Sequence, residues 1–261
     1  MKKMINVVIL MSLYLPSNLW AAHVLDIMVV EYPPFMFTNT DTNTMDGKVI
    51  NVVEAVFKRM EQQIELRIVP WSRGLKLLRE GKADGVIEIF KNAERQTYLD
   101  FSHVSLMNEV VSFFVVEDSK IRFDGDLAQL SQYHFGARQD YSYGSEFDGA
   151  VTDKVISNLS LYVELERLLL ELCTGELDIV IGERHVVAYR ESLLKGLKTH
   201  SIKRCKKIKE LSPSVQSTPA YIAFSKKREL IDIRDNFDKI LTKMKQDGSY
   251  QKIIDEFDVL H

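Results

Sequence analysis

The sequence predicts an α/β fold built as two similar lobes that face each other across a cleft. Two observations carry this reading. The stretch EGKADGVIEI (Glu80 to Ile89) recurs as TGELDIVIGE (Thr174 to Glu183), 94 residues downstream. Strand-like and helix-like segments also alternate along the first half of the chain, the order that gives a parallel sheet covered by helices. Each copy of the repeat closes a helix at a glycine, Gly81 or Gly175, and places an aspartate, Asp84 or Asp178, before a short apolar strand. Glycine ends helices because it accepts the left-handed backbone of the C′ position. Polar loops follow both strands, at Lys91–Arg95 and Gly182–Arg184.

The elements follow in order. HVLDIMVVEYPPF reads as a strand entering a Pro-Pro loop, which continues through the polar stretch Thr38–Asp46. Val49, Val52, Val53, Val56, Phe57 and Met60 recur at helical spacing and give a helix one apolar face. IELRIVP is the next strand, and Trp71, Gly74, Leu75 and Leu78 mark the helix that Gly81 closes. DGVIEIF is the third strand and VVSFFVVED the fourth. A turn-rich segment, Asp118–Asp126, leads to a short helix, a strand at His134–Arg138 and a helix opening near Gly144. Leu165, Leu168, Leu169 and Leu172 share a helical face, Asp178–Ile181 is a strand, and Arg184–Leu194 is a helix. AYIAFSKK is the last strand, before helices over Arg228–Gln246 and Tyr250–Phe257. This order assigns 23–116 plus 220–261 to the first lobe and 117–219 to the second, so the chain crosses between lobes twice. Two crossings make a hinge that can close on a ligand.

The N-terminus is read as a secretory signal peptide over residues 1–22. Lys2 and Lys3 form a positive start, Met4–Leu15 an apolar run, and Ala21–Ala22 a small-residue cleavage site. The run is shorter than the roughly 20 residues that span a bilayer, which weighs against the alternative, an uncleaved N-terminal anchor. No cysteine follows the cut, which argues against a lipid-anchored lipoprotein. The remaining 239 residues are enough for a large core. The formal charge of −3 becomes −5 when Lys2 and Lys3 are removed, which argues against a nucleic-acid partner. Lys203, Arg204, Lys206, Lys207 and Lys209 are the one basic run and read as a solvated edge. The two cysteines, Cys173 and Cys205, permit one disulfide in an exported protein. They lack CxxC spacing and a histidine pair, and the six histidines are dispersed, so no metal or cofactor is expected. No nucleophile–base pair or P-loop is present either.

EYPPFMF, DGKVINVVEAVFKRM, PWSRGLKLLREGKADGVIEIFKNAERQTYLDFS, FGARQDYSYGSEFD, TGELDIVIGE and MKQDGSYQKIIDEF together resemble the extracytoplasmic solute-binding proteins of the polar-amino-acid type (family 3). The resemblance runs from about residue 25 to 258, and the forms WSRG and DYSYG resemble a compact proteobacterial subgroup. It implies the type II periplasmic-binding-protein fold: two flytrap-like lobes, each a mostly parallel sheet flanked by helices, joined by a two-strand hinge. It also implies a monomer in the periplasm that takes a small carboxylate-bearing solute, an amino acid or a relative of one, and passes it to an inner-membrane permease of the ABC type.

The resemblance carries over residue by residue. Arg95 stands at the position that clamps the ligand carboxylate, and a guanidinium matches two carboxylate oxygens with two parallel donors. Asn92 caps the turn that presents it. Its plain structural alternative is an ion pair with Glu94 or Asp100. Tyr32 and Trp71 stand where aromatic rings sandwich the ligand; otherwise they pack in the core. Ser142, beside Tyr141, stands in a loop that helps hold the carboxylate, and is otherwise an N-cap. Glu183 stands where a carboxylate receives the ligand ammonium, and otherwise pairs with Arg184 or Arg190. The sequence departs from the family at Ile87, Glu88 and Phe90, where small hydroxyl residues are usual, and at Asn51, where an acid is common. Glu88 is therefore read as a receiver for a second cationic group or as a solvated acid, and Arg73 as an extra cleft cation. Two other functions fit the same fold: an exported dehydratase-like enzyme using Glu88 or Glu183 as acid or base, and a ligand-sensing module for a membrane receptor.

Overall fold

The computed structural model describes residues 23–196 and 205–260. The signal-peptide segment, and Lys203 and Arg204 of the basic run, lie outside these residues. The described chain begins with β1 (Leu25–Val29), a small hairpin of β2 (Phe37–Asn39) and β3 (Thr44–Asp46), α1 (Lys48–Arg59), β4 (Ile64–Ile68), α2 (Trp71–Glu80) and β5 (Gly85–Phe90). It continues through α3 (Ala93–Gln96), β6 (Leu99–Phe101), β7 (Met107–Val116), β8 (Phe135–Arg138), α4 (Ser145–Thr152), β9 (Leu159–Tyr162) and α5 (Leu165–Thr174). β10 (Ile179–Glu183), α6 (Arg184–Gly196), β11 (Ile208–Glu210), β12 (Gln216–Ser225), α7 (Ile231–Gln246) and α8 (Ser249–Leu260) complete it.

The two copies of the repeat fold alike, and their aspartates do the same structural work. Gly81 and Gly175 end α2 and α5 in the left-handed conformation, with φ of 73° and 91°. The Asp84 N–H donates to the Asp26 carbonyl, and the Asp26 N–H donates back to the Asp84 carboxylate at 2.9 Å. The Asp178 N–H donates to the His134 carbonyl, and the His134 N–H donates back to the Asp178 carboxylate at 2.8 Å. Each aspartate thus clasps the start of its own strand to the start of the first strand of its lobe. Burial works to raise the Asp84 carboxyl's pKa, but the Asp26 N–H and the Arg228 guanidinium outweigh it and hold it below the usual range.

The sheet runs β4-β1-β5-β12-β7-β10-β8-β9, with β11 on β7 and β6 on β12. The expected parallel sheets are its two ends, β4-β1-β5 and β10-β8-β9. Between them, β7 and β12 run antiparallel to their neighbours and pair with each other from Gln216↔Val111 to Ala220↔Met107. Beyond that crossing β7 continues against β10 and β11, while β12 continues against β5 and β6. The two ends of the sheet therefore communicate through two ten-residue strands. The polar stretch Thr38–Asp46, read as loop, contains the β2–β3 hairpin. Its strands are three residues long and too short to show a period.

Packing fixes the helices to this frame. α1 buries Val49, Ile50, Val52, Val53, Val56 and Phe57, each gaining about 1.5–3 kcal/mol when fully removed from water. Phe57 meets Phe237 of α7 at 5.3 Å between ring centres, which packs α7 against α1. Phe113 of the crossing strand β7 forms a ring cluster with Phe123, Phe135 and Phe147, with centres 5.1–6.1 Å apart. Lys206 and Lys207 of the basic run pair with Asp118 and Glu117, an exposed edge.

Cys173 and Cys205 are joined, with Cα atoms 4.6 Å apart and a sequence separation of 32. Closing a loop of that length lowers unfolded-chain entropy by an amount worth about 3–4 kcal/mol. Denatured protein is therefore expected to take no thiol-alkylating label before reduction and two labels after it, by intact mass. The Cys173→Ser/Cys205→Ser double variant is expected to lose about that much stability in denaturant titration. Two labels without reduction would show the bridge absent.

Candidate functional site

The cleft is built from the ends of β1 and β5, the starts of α2 and α3, the crossing strand β7, and the Asp140–Tyr143 loop and Glu183 from the other lobe. Its cavity volume is about 30 Å³, so the side chains of the two walls nearly fill the cleft. Tyr32, Trp71, Glu88, Arg95, Tyr141, Ser142 and Glu183, seven residues singled out in the sequence, all line it, together with Phe90 and Glu109. Arg73 does not. It lies two residues after Trp71 on α2, about 200° around the helix, and is exposed on the far side. Its assignment to the cleft is corrected by helical geometry alone.

Arg95 is 4% exposed. The Asn92 side chain caps its short helix, accepting from the Arg95 N–H at 2.8 Å. Its guanidinium donates to the carbonyls of Phe90 at 2.9 Å and, across the cleft, Asp140 at 3.1 Å, and lies 5.3 Å from the Trp71 ring. Neither plain ion pair forms: Glu94 pairs with Arg79 at 2.6 Å, and among the described residues no carboxylate bonds to Arg95. Burial lowers the Arg95 pKa, yet a guanidinium stays charged at any ordinary pH. A buried cation with only neutral acceptors is an incomplete arrangement.

The Asp140–Tyr143 loop closes over this group. The Trp71 indole donates to the same Asp140 carbonyl at 2.8 Å, and Ser72 bonds to the Asp140 carboxylate. The Tyr141 ring lies 5.3 Å from Trp71 and 6.4 Å from Tyr32, so rings from both lobes surround the cavity. The Ser142 hydroxyl is engaged by Asp148, which also accepts from the Tyr143 N–H at 2.9 Å.

The opposite wall is acidic. Glu183 does not pair with Arg184 or Arg190, which bond to Glu210 and Glu166. It caps α6, accepting from the His185 and Val186 N–H groups at 2.7 and 2.9 Å and contacting His185 Nδ1 at 3.0 Å. Glu88 is buried with φ of +58°, where β5 carries one residue more than β12 opposite it. Such bulges re-aim a side chain, and a non-glycine residue in this region costs about 1–3 kcal/mol. Glu109, on β7, is 3% exposed and accepts from the Tyr32 hydroxyl at 2.8 Å. Glu88 has no hydrogen-bond partner among the described residues, and it lines the same cavity as Glu109. Burial, then the Glu109 charge, pushes the Glu88 pKa well above the carboxylate range. Burial, then Glu183, pushes Glu109 up to about 8, with the Tyr32 and Glu88 hydrogen bonds opposing. Two ionised carboxylates buried in one cavity repel, which favours their protonated forms.

Residues 26–258 match the model of the bacterial extracellular solute-binding proteins, family 3. The chain belongs to that family. Among curated relatives of this family-3 protein, the L-cystine-binding protein TcyA of Bacillus subtilis is 24% identical over 226 residues, covering 85% of this chain and 76% of TcyA. Among solved structures, a histidine kinase sensor domain with similarity to periplasmic binding proteins superposes with a TM-score of 0.75 at 17% identity, covering 91% of this chain and 97% of that one. An arginine transport-system periplasmic binding protein from Legionella pneumophila gives 0.71 at 17%, covering 90% and 100%. At these identities the structural matches establish the fold.

Away from the cleft of this family-3 protein, His103, Asp235 and Asp238 bring ligand-type atoms within 4.8 Å of one another. Asp238 is already taken by the N–H groups of His103 and Val104. Among the described residues no helix is long and apolar enough to cross a membrane.

The cleft acids predict a pH dependence. Glu109 keeps its proton to about 8 in the folded chain, against an ordinary 4.5. The native state binds the proton more tightly, so this stability is fully present below 4.5 and is lost as pH rises through about 8. The melting temperature of unliganded protein should fall across that window, and Glu109→Gln should flatten the fall. Parallel curves for the two proteins would show that Glu109 titrates normally.

Proposed function

We propose that the protein captures a small amino-acid-like solute outside the cytoplasmic membrane and delivers it to an inner-membrane permease. Arg95 holds the ligand carboxylate, Trp71, Tyr32 and Tyr141 enclose its body, and the acidic wall of Glu88, Glu109 and Glu183 receives the ammonium. The observation that carries this reading is the buried Arg95 guanidinium, which among the described residues bonds only to backbone carbonyls. A carboxylate replaces those neutral acceptors with a charge-matched, two-pronged partner. The names of the relatives support the ligand class: TcyA binds L-cystine and the Legionella protein belongs to an arginine transport system.

β7 and β12 serve as the hinge in this reading. The contacts from Trp71, Ser72 and Arg95 to Asp140 then represent the closed form. Closing removes water from the cleft and strengthens the bonds to the ligand. Binding without turnover is expected, since capture needs no bond to break.

The test is calorimetric titration of L-arginine, L-histidine, L-cystine and L-glutamine into wild type and Arg95→Ala. Losing a desolvated charge pair costs about 2–5 kcal/mol, so affinity should fall roughly 30-fold to several-thousand-fold while the far-ultraviolet spectrum is unchanged. Equal affinities would remove Arg95 from the site. Chemical conversion of a bound compound would replace capture with catalysis.

A further inference from the structure

The cleft is filled by the chain's own side chains. Its cavity of about 30 Å³ has room for one or two waters. Pockets that enclose small molecules run to about 300–1,000 Å³. Tyr141 stands in the middle of this space. Its ring centre lies 5.3 Å from that of Trp71 and 6.4 Å from that of Tyr32, separations at which aromatic rings attract. The Arg138 guanidinium lies 4.4 Å from the same ring. Two further cavities, of about 290 and 300 Å³, adjoin the cleft, and Tyr141 is the one described residue that lines all three.

The residue before that ring holds the two walls together. The Asp140 carbonyl accepts from the Trp71 indole at 2.8 Å and from the Arg95 guanidinium at 3.1 Å, and its carboxylate accepts from the Ser72 hydroxyl. Asp140 has φ of 61°, a left-handed conformation that aspartate tolerates better than most side chains. One residue so placed meets three donors, from the starts of α2 and from α3. Its loop follows β8, whereas α2 and α3 follow β4 and β5. These bonds therefore tie one parallel end of the sheet to the other.

We infer that Asp140 and Tyr141 are a built-in occupant of the cleft: they hold it shut with no ligand bound, and a ligand enters by displacing them. This rests on the reading given above, in which Arg95 and the rings are the ligand site and β7 and β12 the hinge. The Asp140 carbonyl takes the donor that the reading gives to the ligand carboxylate, and the Tyr141 ring takes the space it gives to the ligand body. The occupant is replaceable. A carbonyl is a weaker partner for a guanidinium than a carboxylate is. The Tyr141 hydroxyl is buried without a partner among the described residues, which is unfavourable. The adjoining cavities give the displaced ring a place to go. Apparent affinity is scaled down by the fraction of protein that is open, so this loop sets how tightly any ligand is held.

The experiment places spin labels on Arg73→Cys and Asp153→Cys, exposed sites on α2 and just after α4. The native cysteines are bridged and take no label. Bound solute is first stripped by unfolding, dialysis and refolding with the bridge intact. Pulsed electron resonance should then give the separation seen in this structure. Tyr141→Ala should move it to a longer and broader distribution, and Tyr141→Phe, which keeps the ring, should leave it short. Stopped-flow mixing with L-arginine, L-histidine, L-cystine and L-glutamine adds the second arm. Any of these that binds should associate about 3–10-fold faster with Ser72→Ala, the equivalent of one net hydrogen bond. A long separation in stripped wild type overturns the inference, and Arg95-dependent binding to that open form leaves the parent reading standing. A short separation in folded Tyr141→Ala also overturns it, because closure then does not depend on the occupant. Unchanged association with Ser72→Ala overturns displacement as the route of entry. Should Tyr141→Ala fail to fold, the wild-type separation and the Ser72→Ala rate decide. A closed wild type that Tyr141→Ala opens, with no amino acid binding, supports the occupant and removes the parent reading.

Discussion

A guanidinium buried between two lobes, with only carbonyl oxygens for partners, is the constraint around which the cleft is organised. Arg95 reaches that place because Asn92 caps the short helix presenting it and the Phe90 carbonyl receives one arm. The second arm reaches the opposite lobe at Asp140, and Trp71 does the same through its indole. The same carbonyl therefore ties together the ring and the cation expected to handle a ligand. Isolated charge in a low-dielectric site is expensive, and neutral dipoles relieve only part of it. An anion entering between the lobes completes the arrangement and gives closure a thermodynamic reason.

The facing wall has the opposite problem. Glu183 is satisfied by the helix it caps and Glu109 accepts from Tyr32, whereas Glu88 has no hydrogen-bond partner among the described residues. Two acids in that position hold a proton at pH values where exposed carboxylates have lost theirs. The cleft is thus polarised, with the cation at the α3 end and the acids at the β5–β7 end. This polarity suits a ligand that is negative at one end and positive at the other. β7 carries Glu109 and also crosses with β12, the pair of strands proposed as the hinge.

Much of this was legible in the sequence, for identifiable reasons. The repeat around Asp84 and Asp178 reports a shared strand-clasping geometry, and such local chemistry leaves a local pattern. Arg95 and Glu183 follow the two repeats at fixed short distances, so the repeats point to them. Glu109 was missed. It precedes the apolar run VVSFF and has no spacing partner; the one available signal was an acid at the start of an otherwise buried strand. Glu88 was noticed as out of place, but the bulge that turns it inward depends on pairing with β12, more than 130 residues away. Arg73 was misplaced because charge was considered without helical phase. The β2–β3 hairpin is too short and polar to show a period.

The central claim is that Arg95 is the carboxylate clamp, and a crystal structure with a bound L-amino acid tests it most directly. The account predicts the two ligand carboxylate oxygens at about 2.7–2.9 Å from two Arg95 guanidinium nitrogens. A ligand whose carboxylate is held elsewhere, with Arg95 still bonded to the Phe90 and Asp140 carbonyls, would contradict it.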